Sequence, residues 1–65
     1  MTLKVNDNAN FNLTLKQNMD FERGNIEFLV ILDNKENHKR KMNVFKADDF
    51  RAALQKFKEY EQFIF

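Results

Sequence analysis

The chain changes its hydrophobic rhythm once. Up to about Lys46 apolar and polar residues tend to alternate, and beyond it the apolar residues recur every three or four positions. Alternation sends successive side chains to opposite sides of an extended backbone, whereas three–four spacing gathers them on one side of a helix. Strands followed by a helix are therefore expected, which is an α+β fold.

The stretch "TLKV" sets Leu3 and Val5 against polar neighbours and predicts a short first strand. "NDNAN", Asn6 to Asn10, is dense in residues that tolerate turn conformations. "FNLTLK" then alternates strictly, with Phe11, Leu13 and Leu15 on one side and Asn12, Thr14 and Lys16 on the other. Gln17 to Asn25 reads as a connection in which Met19 and Phe21 fold back to cap an edge of the core. Gly24, the only glycine, marks its most demanding backbone position. "IEFLVILD" is apolar on both sides: Ile26, Phe28, Val30 and Leu32 form one face, Leu29 and Ile31 the other. "DNKEN" predicts a hairpin with Asn37 in a left-handed conformation, returning through a strand from about His38 to Phe45. Slipping a strand by one residue exchanges its faces, so the apolar set fixes the register. On that criterion Met42 and Val44 are expected beside Phe28 and Val30. Lys39, Lys41, Asn43 and Phe45 would then join Leu29 and Ile31 on the opposite face.

In "ADDFRAALQKFKEYEQFI", Ala47, Phe50, Ala53, Leu54, Phe57, Tyr60 or Glu61, and Ile64 fall on one stripe at helical spacing. Asp48 and Asp49 lie where negative charge complements the helix dipole. Phe45 and Phe50 have the spacing of a hydrophobic staple. The expected architecture is a four-stranded antiparallel β-meander followed by one C-terminal α-helix packed on one sheet face, ββββα, in a single small domain spanning residues 1–65.

Length sharpens this picture. A chain of 65 residues buries only roughly 60 % of its unfolded surface, and small domains of this kind usually lean on disulfides, a metal or a partner. There is no cysteine, and the one histidine, His38, cannot build a histidine-rich metal site. Tight packing or self-association remains, and a homodimer is the expected support.

The formal net charge is +1, so no overall field draws the chain to nucleic acid. Residues 1–34 carry three basic and five acidic side chains, and residues 35–65 carry eight basic and five acidic, balances of −2 and +3. Polar residues follow Met1 to Lys4, so a secretory leader is not expected, and no apolar run approaches the ~20 residues of a membrane span. A cytoplasmic location without membrane association is the expectation. Nine asparagines, eight lysines and eight phenylalanines suggest AT-rich coding, as in a low-GC bacterium or a phage or mobile element living in one.

Material for catalysis is scarce. Serine and cysteine are absent, and the threonines are Thr2 and Thr14. Asp48 and Asp49 point about 100° apart on a helix, so they share no proton as a catalytic dyad would. A single glycine cannot build a phosphate-cradling loop. The chain is therefore expected to be no enzyme and to hold no cofactor, metal or small-molecule ligand.

Two surfaces remain. One is the second apolar face of the sheet, for which Leu29, Ile31 and Phe45, with Phe63 and Phe65 from the tail, are the candidate interface residues. The other is the basic hairpin, where Lys35, Lys39, Arg40, Lys41 and Lys46 cluster within twelve residues and could meet phosphates. Lysines also protect exposed edge strands from aggregation. Aromatic interleaving, which single-stranded nucleic-acid platforms use, is sparse. The expected function is non-catalytic binding of another protein, as an adaptor or inhibitor, through the apolar face. Nucleic-acid binding by the hairpin is the alternative.

Overall fold

A computed structural model describes residues 1–65 and has the order expected. Strands β1 (Thr2–Asp7), β2 (Phe11–Asp20), β3 (Asn25–Asn34) and β4 (Arg40–Lys46) are followed by a 3-10 turn, Ala47–Asp49, and helix α1 (Phe50–Ile64). Neighbouring strands pair antiparallel in the order β1-β2-β3-β4, a simple meander. The helix reverses direction after β4 and packs on β2, β3 and β4.

All three hairpins turn on the same device. A short polar side chain at the turn start accepts backbone N–H groups two and three residues on, as Asx turns do. Asn8 Oδ1 accepts from Asn10 and Phe11, Asp20 Oδ1 from Glu22 and Arg23, and Asn34 Oδ1 from Glu36 and Asn37. In the last two loops the chain then swings into the left-handed region four residues after the Asx residue, at Gly24 (φ 67°) and His38 (φ 59°). The left-handed residue is thus His38 and not Asn37, whose Oδ1 instead accepts the Lys39 N–H at 3.0 Å.

Strand β2 runs on to Asp20 and so takes in Gln17 to Asp20 of the segment expected to be a connection. Met19 and Phe21 do not cap the core. They are 46 % and 87 % exposed at the far end of the β2–β3 hairpin.

Six residues are buried: Leu13, Leu15, Val30, Leu32, Ala53 and Phe57. The four strand residues pair directly, Leu13 with Leu32 and Leu15 with Val30, so they share the face beneath the helix. Leu3, Phe11, Phe28, Phe45, Phe50, Leu54, Tyr60 and Ile64 pack around them. The rings of Phe28 and Phe50 meet with centroids 4.6 Å apart, tilted by 53°, a favourable arrangement of ring edges and faces. A bulge between Thr2 and Lys4 lets β1 bring Leu3 to the core and the Lys4 ammonium to 5.4 Å from the Phe57 ring centroid.

Polar groups fasten the helix to the sheet where apolar packing thins. Asn43 Nδ2 donates to Tyr60 Oη at 2.9 Å, and Asn6 Nδ2 donates to Glu61 Oε2 at 3.0 Å. Both Tyr60 and Glu61 therefore face the sheet, each with a half-buried partner. The expected stripe holds from Phe50 to Ile64, but Ala47 stays exposed in the 3-10 turn.

The face assignment of β4 is the principal correction. Val44 pairs with Leu29, Met42 with Ile31, Asn43 with Val30 and Phe45 with Phe28. Met42 and Val44 consequently lie away from the helix, while Lys41, Asn43 and Phe45 lie on the helix side. Loop length decides this. Four residues, Lys35 to His38, separate the paired ends at Asn34 and Lys39, where the Asn34 N–H donates to the Lys39 carbonyl at 2.8 Å. One residue more would exchange the faces of β4.

Candidate protein-docking face

The side of the sheet away from the helix is built from rows of directly paired residues. Val5, Thr14, Ile31 and Met42 form one row across all strands, and Lys16, Leu29 and Val44 form the next. Asp7, Asn12, Asp33 and Arg40 border this apolar band at one end, and Asn18, Glu27 and Lys46 at the other. Val5, Met42 and Val44 are 55 %, 55 % and 54 % exposed. Leu29 and Ile31 are half-buried by these neighbours. Nothing else in the chain lies over them. The helix and its tail occupy the opposite side, where Ile64 joins the core, and Met19 and Phe21 stand exposed in their own hairpin.

The candidate interface residues therefore separate. Leu29 and Ile31 are on the open face as expected. Phe45 is not: it packs against the core on the helix side. Phe63 projects from the outer side of the helix, 92 % exposed, and Phe65 ends the chain at 44 %, its N–H donating to the Glu61 carbonyl. Met42, Val44 and Val5 are the open-face residues that pattern reasoning missed. The loop-length parity described above would have found the first two.

The basic hairpin does not present one cationic surface. Lys35 Nζ lies 2.7 Å from Asp7 Oδ1 and donates to the Asn8 carbonyl at 2.7 Å, so it serves to tie two hairpins together. That contact, with a hydrogen bond from Asn12, holds the Asp7 carboxyl below the usual carboxylate range. Arg40 Nε donates to Asp33 Oδ1 at 2.6 Å. Of the others, Lys39 lies just before β4 where it pairs with Asn34, Lys41 falls on the helix side and Lys46 on the open side.

A concavity lies between the β2–β3 turn and the start of the helix. Arg23, Glu27, Lys46 and Asp48 line it, with Ile26 and Ala47 its only apolar members. Small-molecule pockets are mostly apolar with a few convergent polar groups, which this is not. No helix is long and apolar enough to cross a membrane.

Fold and surface together define a two-layer ββββα domain with one uncovered sheet face. Comparison with protein-family models, with curated proteins and with solved structures finds no match. Its own surface carries the functional reading.

Proposed function

We propose that this chain is a small non-catalytic binding protein, an adaptor or inhibitor, that docks another protein on its open sheet face. The observation that supports this is the uncovered patch of Leu29, Ile31, Met42 and Val44 on β3 and β4, with Val5 beyond Thr14, bordered by charged residues at both ends. Contiguous apolar surface rimmed by polar groups marks interaction sites in soluble proteins. The charged borders would steer the approach and set the orientation of the partner. The basic hairpin is the weaker candidate for contact, because Lys35 and Arg40 are already engaged by Asp7 and Asp33.

Differential capture tests this. Wild type and Met42→Asp, both checked for folding by circular dichroism, serve as baits in the same lysate, with Arg51→Ala as a control on the helix's outer side. A specific protein retained by wild type and the control but lost with Met42→Asp is the expected result. Identical capture by all three would overturn the role of this face. A salt-sensitive shift of DNA or RNA abolished by Lys39→Ala/Lys41→Ala would favour the hairpin instead.

A further inference from the structure

We propose that the occupant of the open face is a second copy of this chain, packed about a two-fold axis running along the seam between β3 and β4. This depends on the docking role proposed above and adds the identity of the partner. The cross-strand pairs at the seam are Asp33 with Arg40, Ile31 with Met42, Leu29 with Val44, and Glu27 with Lys46. A two-fold axis parallel to the strands exchanges β3 with β4 between the copies. Each residue then meets the second copy of its own cross-strand neighbour, as an isologous interface requires.

The result is complementary along its whole length. Asp33 faces Arg40 at one end, Glu27 faces Lys46 at the other, and Ile31, Met42, Leu29 and Val44 interlock between them, every contact occurring twice. An axis across the strands would instead set Arg40 over Lys46 and Asp33 over Glu27, like charge on like. Charge therefore selects the orientation. Lys46 makes no ion pair within its own chain, so it is free to reach the second copy. Packed sheets keep their strands within about 30° of each other, which leaves the central rows in register.

Size sets the strength. The overlap is about two strands wide at ~4.8 Å spacing and about seven residues long at ~3.3 Å each. That falls short of the ~800 Å² per partner of a standard interface, so the dimer is weak and exchanges readily. Val5, on β1, lies outside the overlap.

Sedimentation equilibrium from about 10 μM to about 1 mM, the range of weak association, should show the mass rising from 7.9 kDa towards twice that value. Met42→Asp should stay monomeric and folded throughout. Glu27→Lys and Lys46→Glu should each weaken self-association by on the order of tenfold or more, by setting like charges across the axis. Mixing those two variants in equal amounts should restore it, because unlike charges face each other again between copies. Mixing changes nothing inside either chain, so recovery reports only the contact between them. A mixture no heavier than its components would overturn the seam axis. A wild type that stays at 7.9 kDa up to about 1 mM would overturn self-association altogether. Neither result touches the differential capture above, which would still lose a different partner with Met42→Asp.

Discussion

On the helix side of the sheet Leu13, Leu15 and Val30 lose all contact with solvent, while on the open side Met42 and Val44 keep more than half of their surface in water. Strand β3 belongs to both sides and is apolar on both: Val30 and Leu32 are buried beneath the helix, whereas Leu29 and Ile31 are covered only by their neighbours in the sheet. The contrast shows that the type of side chain does not by itself decide burial. A face becomes core when a second layer with a matching stripe is laid on it, and the chain has only one such layer, α1. Apolar surface on the other face, with no such layer over it, contributes little to folding.

Truncating one residue on each side separates the two faces most severely. Phe57 is 1 % exposed at the centre of the helix–sheet interface. Phe57→Ala should cost about 3–5 kcal/mol, by lost transfer energy and the cavity left behind. A domain of 65 residues has a total stability of roughly 3–10 kcal/mol, so the variant should be largely unfolded at modest urea. Val44→Ala, at a residue 54 % exposed, should cost less than about 1 kcal/mol under the same conditions. Urea unfolding followed by far-ultraviolet circular dichroism, at a protein concentration low enough to keep the chain monomeric, measures both. Equal losses would mean that the open face is as much a core as the covered one.

The two faces were not equally legible in the sequence. Leu13, Leu15, Val30, Ala53 and Phe57 follow from period-two and three–four spacing, because long elements repeat the signal until it is unambiguous. Strand β4 is short, and its alternation admits two answers. Met42 and Val44 make one apolar face, but Phe45 competes from the other, and a loop of four residues decides between them by parity. Lys41 and Asn43 on the helix side look like errors of patterning until their surroundings are seen. Asn43 finds the Tyr60 hydroxyl, and Lys41 remains exposed on the outermost strand. Pairwise satisfaction of that kind depends on contacts distant in sequence and leaves no periodic trace. His38 is different: its left-handed conformation is set locally, by its distance to Asn34, which a period-two pattern does not register.

A smaller perturbation sharpens the role of that polar contact. Tyr60→Phe keeps the ring against the core and removes only the hydroxyl, leaving the Asn43 side-chain amide without its partner. The expected cost is about 0.5–1.5 kcal/mol, the net value of one such hydrogen bond. In nuclear magnetic resonance spectra the Asn43 side-chain N–H signals should move and exchange faster with water. Unchanged Asn43 signals would show that the open and covered faces of β4 are sorted by Phe45 alone.

The two left-handed positions give effects of opposite sign. Gly24→Ala meets open space, with no atom within 4 Å of the added Cβ, so any loss comes from the backbone conformation and should be about 1 kcal/mol. At His38 a side chain already sits at φ 59°. His38→Gly should relieve that strain and raise the urea midpoint slightly, less the added freedom of the unfolded chain. Destabilisation by both substitutions would mean that the His38 side chain contributes contacts that outweigh its backbone.

The gentlest effect concerns Asp7 at the border of the open face. Its carboxyl is held below the usual carboxylate range, first by the hydrogen bond from Lys35 and then by that from Asn12. A lowered folded-state value means that the unfolded chain binds the proton more readily. The associated stability is therefore present at neutral pH and is lost as pH falls through the lowered value. Both partners are solvent-exposed, so salt should screen the pair strongly and the change in overall stability should be near the limit of detection. Titration of the Asp7 carboxyl carbon by nuclear magnetic resonance sees it directly. Lys35→Met should move the midpoint up towards the ordinary aspartate value, and high salt should move it part of the way. A midpoint unchanged by Lys35→Met would show that Asn12 alone holds the charge, leaving Lys35 free of Asp7 and available at the surface after all.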